Sequence, residues 1–314
     1  MATYSTALVL GGGGVRCMAH VGVFKALHEN GITPDLIVGS SIGSVLGAVY
    51  AYIKDPALVE VFADKFSSNK MMQRMERIIT RHGENAFSKG LSFLSFTFGL
   101  VHAFWREGIL SEEMVKRSYS KILGEGVLFS NKFLIEDTAI PFAALTTDYN
   151  TAEAVAVTRG ELPTYLYASS AFPGLCKPVI HGSRMLMDGG ITSVVPVLAA
   201  HLLGAKKIIA VDTYPDIRQP AFKNGINAIN LATDIRGHRL NIVEKDMADI
   251  VITPDINKYK FYEFSKLNAC KEAGYRATIE QMKHIGAVAA CPKVDTDLDI
   301  KRQAMESLYP FAVI

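Results

Sequence analysis

Residues Asp35-Leu36-Ile37-Val38-Gly39-Ser40-Ser41-Ile42-Gly43 lead straight into Ser44-Val45-Leu46-Gly47-Ala48-Val49-Tyr50. An apolar run ends on a glycine–serine turn, and a helix-forming run begins at once. Short apolar runs bounded by turn residues read as buried strands, and the longer run reads as a helix. A strand that turns this sharply into a helix lifts the residue at the apex, Ser41, clear of the sheet. Gly39 and Gly43 permit the close backbone approach that such a turn needs. The same order occurs upstream: Thr6 to Leu10 reads as a strand, and Val15 to Glu29 as a helix closed by Asn30-Gly31. The first fifty residues are therefore βαβα. Parallel strands joined by helices require a sheet covered on both faces.

Downstream, 55–125 reads as helical throughout, with helices expected over Pro56 to Phe66, Asn69 to Arg81, Phe87 to Trp105 and Ser111 to Leu123. Strands return at Pro141 to Thr147 and Ala154 to Thr158, joined by the polar Asp148-Tyr149-Asn150-Thr151 as a hairpin. A helix is expected around Leu162 to Ser170, then a strand or hairpin through Arg184 to Met187 and the turn Asp188-Gly189-Gly190. A helix near Pro196 to Leu203 and strands over Lys207 to Asp212 and Asp249 to Ile252 follow, with helical pattern between them and from Ser265 to Ile285. No repeat or linker-like tract interrupts the chain. One domain over 1–314 is expected, with a core of about 5–285, a helical cap insertion of about 55–125 and a C-terminal extension of about 286–314.

Composition narrows the function. With 49% hydrophobic and 20% charged residues the 314-residue chain can bury a large core. Lys plus Arg is 33 against 31 acids, and a net charge of +2 gives no electrostatic case for nucleic acid. Cys17, Cys176, Cys270 and Cys291 are far apart with no paired histidines, so they read as reduced thiols and no metal or other cofactor is expected. The apolar Ala7-Leu8-Val9-Leu10 is too short for a secretory core, and no run of 18 apolar residues is present. A cytoplasmic protein is expected, in peripheral contact with membranes at most; the oligomeric state is not legible.

Three segments carry chemistry. Ser41 is either a serine nucleophile or part of a plain turn opening a buried helix. Gly11-Gly12-Gly13-Gly14-Val15-Arg16 follows the first strand and opens the first helix, so its amides form an anion site. Dinucleotide binding fits poorly. The third glycine of that fingerprint falls on Arg16 or Cys17, and the candidate ribose acid, Asp35, precedes its strand. An oxyanion hole fits better: neighbouring parallel strands would bring this turn beside Ser41, where an alkoxide needs donors about 2.7–3.1 Å away. A serine also needs a base. None of His102, His181, His201, His238 or His284 has a distinctive setting, and His201 reads as a satisfied core or surface residue. The best-framed acid is Asp188 in Met187-Asp188-Gly189-Gly190, either a base or an Asx-turn residue.

Together, Gly12-Gly13-Gly14-Val15-Arg16, Gly39-Ser40-Ser41-Ile42-Gly43 and Asp188-Gly189-Gly190 resemble the three blocks of the patatin-like phospholipases, in that family's order. Ala168-Ser169-Ser170-Ala171-Phe172-Pro173-Gly174, Lys177-Pro178-Val179, Pro196-Val197, Ala248 to Pro254 and Glu272-Ala273-Gly274-Tyr275 are similar to further family segments. The resemblance implies a three-layer α/β/α fold with a mostly parallel central sheet and a helical insertion. It also implies a Ser–Asp dyad: Ser41 as nucleophile, Asp188 as base and orienter, and Gly12, Gly13, Gly14 and Arg16 stabilising the oxyanion. Gly39, Gly43, Gly189 and Gly190 are the motif glycines. Two positions depart from the pattern. Cys17 stands where glycine is usual, and Thr192-Ser193-Val194-Val195 replaces a segment that often carries Asn. The implied activity is hydrolysis of phospholipid, lysophospholipid or other acyl esters through an acyl-enzyme, with acyl transfer to another alcohol open. A non-catalytic lipid-binding protein on the same fold is the alternative. The aromatic stretch Leu91 to Trp105 would line an acyl channel, touch a bilayer or lie buried; Lys70, Arg74, Arg77 and Arg81 would face lipid headgroups or simply water.

Overall fold

The first strand, β1 (Tyr4–Leu10), forms the axis of the sheet. β2 (Leu36–Ser40) pairs with it in parallel on one side and β7 (Ala205–Val211) in parallel on the other. β3 (Phe142–Asp148) continues beyond β2, and β8 (Ile250–Ile252) beyond β7, again in parallel. The chain thus leaves β1 in one direction for β2 and β3 and returns later to its other flank. The carboxyl end of β1 is a topological switch point, the place where open α/β sheets leave a crevice. The computed structural model describes residues 4–68, 112–113, 115–117, 133–173, 176–214, 225–290 and 310–314. The expected helices Asn69 to Arg81 and Phe87 to Trp105, most of the expected helix Ser111 to Leu123 (112–113 and 115–117 are described and helical), the aromatic stretch 91–105, the basic stripe 70–81, Gly174, Cys291 and most of the expected extension lie outside the described residues.

Alternation along β1 explains the layers. Successive side chains point to opposite faces of a strand. Leu8 and Leu10 enter one apolar core with Phe24 and Leu27 of α1 (Ala19–Glu29), Leu46 of α2 (Ile42–Ile53) and Phe62 of α3 (Pro56–Ser68). Ala7 and Val9 enter a second core with Val197 and Leu198 of α5 (Val197–Leu202) and with Met247. A mostly parallel sheet with helices on both faces is the three-layer α/β/α arrangement.

β3 branches the sheet, and the branch makes the site. Its residues Ala144–Thr147 pair antiparallel with β4 (Ala154–Val157) along one edge. The opposite edge is shared: Phe142–Leu145 pair with β2, whereas Thr146–Asp148 pair antiparallel with β6 (Arg184–Asp188). β2 and β6 therefore run head to head. Ser40 ends opposite Leu145 and Asp188 ends opposite Thr146, one residue further on.

β6 forms a hairpin with β5 (Val179–His181), and α4 (Leu162–Ser169) precedes that hairpin. α6 (Gly225–Lys245), α7 (Leu267–Glu280) and α8 (Met282–Ala290) complete the layers. Two expectations change. The first helix is not continuous from Val15: Gly14–Met18 is a 3₁₀ turn and the α-helix begins at Ala19. The Ser265–Ile285 pattern breaks at Gln281 into α7 and α8. The C-terminal residues return to the sheet as β9 (Phe311–Val313), parallel to β4. Among the described residues, no helix is long and apolar enough to cross a membrane.

Candidate active site

Ser41 stands between the end of β2 and the start of α2, with φ 54° and ψ −131°. Such backbone angles cost a non-glycine residue of order 1–3 kcal/mol and persist only where the surroundings enforce them. Here the enforcement is visible. The Ser41 amide donates to Ser169 Oγ at the end of α4 (3.1 Å), and Ser44 Oγ donates to the Ser41 carbonyl (2.6 Å). Ser40 Oγ donates to the Ser193 carbonyl (3.0 Å). The flanking glycines mark where chains cross: a Cβ on Gly39 would lie 2.5 Å from Ser44 Cα, and one on Gly43 2.5 Å from the Gly11 carbonyl oxygen.

Asp188 closes the other side. Ser41 Oγ donates to Asp188 Oδ2 at 2.9 Å, while Asp188 Oδ1 accepts from the Gly190 amide at 2.8 Å. The main chain of Asp188 is held as well. Thr147 Oγ1 donates to its carbonyl (2.9 Å) and is itself 2.9 Å from Thr192 Oγ1. Thr192, in the segment that departs from the family pattern, thus supports the Asp188 backbone. Asp188 is almost completely buried, and burial pushes its carboxyl up to about 6 against the opposing pull of the Gly190 amide and the Ser41 hydroxyl. A carboxylate in that range is a better proton acceptor near neutrality than an exposed aspartate. Gly189 allows the strand end to sit on β3, since a Cβ there would collide with the Leu145 carbonyl.

The glycine turn lies where the switch point puts it. A Cβ on Gly12 would be 3.1 Å from Ser41 Cβ, so this turn and the serine turn are in contact. The four expected contributors differ in what they do. The Gly12 amide is taken: it donates to the Val194 carbonyl at 2.9 Å. Gly12 therefore supplies proximity rather than an open donor. The amides of Gly13 and Gly14 have no acceptor among the described residues. Arg16 acts on the loop itself: its Nε donates to the Gly13 carbonyl (3.2 Å) and its guanidinium lies 6.0 Å over the Tyr214 ring. Gly14 has φ 62°, and a Cβ there would strike the Phe261 carbonyl that accepts the Val15 amide (2.7 Å). Cys17 is fully buried, and its thiol, pushed up to about 12 by burial, contacts the Gly11 carbonyl at 3.4 Å. The side chain at this position braces the loop.

The family signature of patatin-like phospholipase matches residues 8–201, more than half of the chain. This chain belongs to the patatin-like phospholipase family. The match runs through the glycine turn, the Ser41 turn and Asp188, and stops before β7. Among patatin-like relatives, the chain is 27% identical to lysophospholipase NTE1 of Pyricularia oryzae over 332 residues, covering 98% of this chain and 20% of that protein. It is 36% identical to lysophospholipase NTE1 of Coccidioides immitis over 208 residues, covering 66% of this chain and 11% of that protein. The chain spans no more than about a fifth of the length of these relatives. VipD from Legionella pneumophila aligns with 90% of this chain and 67% of its own, at 13% identity and a TM-score of 0.48.

Within this patatin-like site, two contributors were not singled out from sequence. Ser169 fixes the Ser41 amide; it lies in a segment of family resemblance, but nothing local marks its hydroxyl as an acceptor. Thr213, beyond the matched region, reaches the glycine loop from the end of β7. His201 is a satisfied core histidine, its Nε2 3.0 Å from the Met247 carbonyl.

Proposed function

We propose that the protein is a serine lipid acyl hydrolase that cleaves phospholipid or lysophospholipid esters through a Ser41–Asp188 dyad and an acyl-enzyme. The observation that carries this reading is the 2.9 Å bond from Ser41 Oγ to a buried carboxylate, beside the open amides of Gly13 and Gly14. In the first half-reaction Ser41 Oγ attacks the acyl carbonyl and its proton passes to Asp188 Oδ2. The negative charge develops on the former carbonyl oxygen, within reach of the Gly13 and Gly14 amides. Asp188 returns the proton to the leaving alkoxide as the acyl-serine forms. Water then attacks the acyl-serine, its proton passes to Asp188, and the acid is released as Ser41 recovers a proton. An alcohol in place of water would give acyl transfer.

The lipid class is supported by family membership and by the lysophospholipase names of the relatives. Peripheral contact with a lipid surface is supported by two exposed rings near the site. Phe172, next to the Ala171 carbonyl that accepts the Asp188 amide, stacks at 6.4 Å on Phe261, which adjoins Gly14. The non-catalytic alternative rested on Cys17 and on the segment after Asp188. Both support the site geometry, so neither favours it. The test is fatty-acid release from lysophosphatidylcholine and phosphatidylcholine by wild type, Ser41→Ala and Asp188→Asn. Release by wild type that both substitutions abolish is expected; release that survives Ser41→Ala would overturn the reading.

A further inference from the structure

The glycine loop has no side chains of its own to fix its peptide planes, and glycine is the residue with most backbone freedom to lose. Yet an oxyanion site works only if its donors are aimed before the charge appears. The carbonyls of the loop show what aims them. Thr213, fully buried just after β7, has its Oγ1 at 3.2 Å from the Gly11 carbonyl and 3.1 Å from the Gly12 carbonyl. His20 Nε2, on α1, is 2.8 Å from the Gly11 carbonyl. A carbonyl only accepts, so His20 donates through Nε2; its Nδ1 is buried and has no partner among the described residues. Burial pushes this imidazole down to about 4, which keeps it neutral near pH 7. The Cys17 thiol joins the same carbonyl, and Arg16 Nε takes the next one but one, Gly13.

Three consecutive carbonyls are therefore held by donors from α1, the turn before it and β7. In a trans peptide the C=O and N–H point in opposite directions. Holding the Gly12 carbonyl on Thr213 turns the Gly13 N–H away from β7, and holding the Gly13 carbonyl on Arg16 turns the Gly14 N–H away from Arg16. These two amides have no acceptor among the described residues. The Gly11 carbonyl, gripped by His20 and Thr213, belongs to the same peptide as the Gly12 N–H that donates to Val194.

We infer that Thr213, together with His20, is a positioning residue: it grips the Gly11 and Gly12 carbonyls from the far side so that the Gly13 amide faces the acyl oxygen, beside the Gly14 amide that Arg16 aims. The inference rests on the Ser41–Asp188 reading and adds to it a contribution from outside the segment that the family signature matches. Thr213 touches neither substrate nor the reacting atoms. Its effect passes through the direction of the Gly12–Gly13 peptide plane, so it belongs to the transition state and not to ground-state binding.

The experiment compares Thr213→Val, which keeps the β-branch and loses the hydroxyl, with Thr213→Ser, which keeps the hydroxyl. Both are assayed on p-nitrophenyl butyrate beside wild type and Ser41→Ala, and inhibition by an alkyl trifluoromethyl ketone, which forms an oxyanion adduct with a serine, is measured in parallel. Thr213→Val should lower kcat by roughly ten- to a hundredfold, less than deleting a donor outright, with KM within about twofold. Trifluoromethyl ketone affinity should fall by the same factor as kcat/KM, and Thr213→Ser should recover kcat to within about threefold of wild type. If Thr213→Val does not fold, Thr213→Ala is the second probe and should show the same division between kcat and KM. Wild-type kcat in the Val or Ala variant, a loss confined to KM, or failure of Ser to rescue would overturn the inference. Ser41→Ala separates the two claims: an inactive Ser41→Ala beside a fully active Thr213→Val removes only the positioning role, whereas an active Ser41→Ala removes the dyad itself.

Discussion

Asp188→Asn should abolish activity and, at alkaline pH, make the fold more stable. The carboxyl is 7% exposed, and its folded-state value of about 6 lies above the 3.8 of an ordinary aspartate. At about 1.4 kcal/mol per pKa unit, that gap corresponds to roughly 3 kcal/mol. The sign follows from proton binding. A group whose value is raised on folding holds its proton more tightly in the native state, so wild-type stability falls as pH climbs from about 4 to about 6 and stays reduced above. Asparagine carries no charge to bury. Its carbonyl can still accept from the Gly190 amide, and its amide can donate to Ser41 Oγ, so the geometry is kept. Urea unfolding at pH 8 should show Asp188→Asn more stable than wild type by up to roughly 3 kcal/mol, with the difference closing by about pH 4. Ester hydrolysis should fall at least about a thousandfold, because the proton acceptor is gone. An Asp188→Asn protein no more stable than wild type at pH 8, or an advantage that persists unchanged at pH 4, would refute the argument.

Three further outcomes follow from the same geometry. Glu244 is buried, pushed up to about 7, and accepts from the Leu198 amide at 3.1 Å; Glu244→Gln should stabilise the fold by roughly 3 kcal/mol at pH 9 and by almost nothing at pH 4, measured by urea unfolding. Gly14→Ala forces a Cβ onto the Phe261 carbonyl at φ 62° and should cost about 2 kcal/mol or more in thermal unfolding while lowering kcat. Ser169→Ala leaves the Ser41 amide without its acceptor and should cost roughly 1–3 kcal/mol in stability, with a fall in kcat larger than any change in KM.

The Ser41 turn was legible because everything it needs is local: an apolar run, glycines at Gly39 and Gly43, and a helix-forming run. The sheet class followed from the same pattern, and the hairpin of β3 and β4 from its polar joint at 148–151. The meeting of Ser41 with Asp188 was not legible from pattern, because it depends on β2 and β6 sharing one edge of β3 in a register that ends both strands at neighbouring residues. Only the resemblance to a family bridged that gap. Two contacts within the glycine loop are not legible locally: Val194 occupies the Gly12 amide, and Arg16 turns back onto Gly13. The contacts of Cys17 with the Gly11 carbonyl and Thr213 are not legible locally, because Thr213 comes from elsewhere in the fold. The strand at Phe311–Val313 is three residues long and has no flanking pattern of its own; its identity comes from the β4 edge it covers.

The central claim is that Ser41 is a nucleophile activated by Asp188. Its most direct test is intact-mass analysis after exposure to an alkyl fluorophosphonate, with peptide mapping of the adduct. The account predicts one adduct per chain, located on Ser41, absent from Ser41→Ala and formed at least about a hundredfold more slowly by Asp188→Asn. An adduct on another residue, or labelling of Ser41→Ala at the wild-type rate, would contradict it.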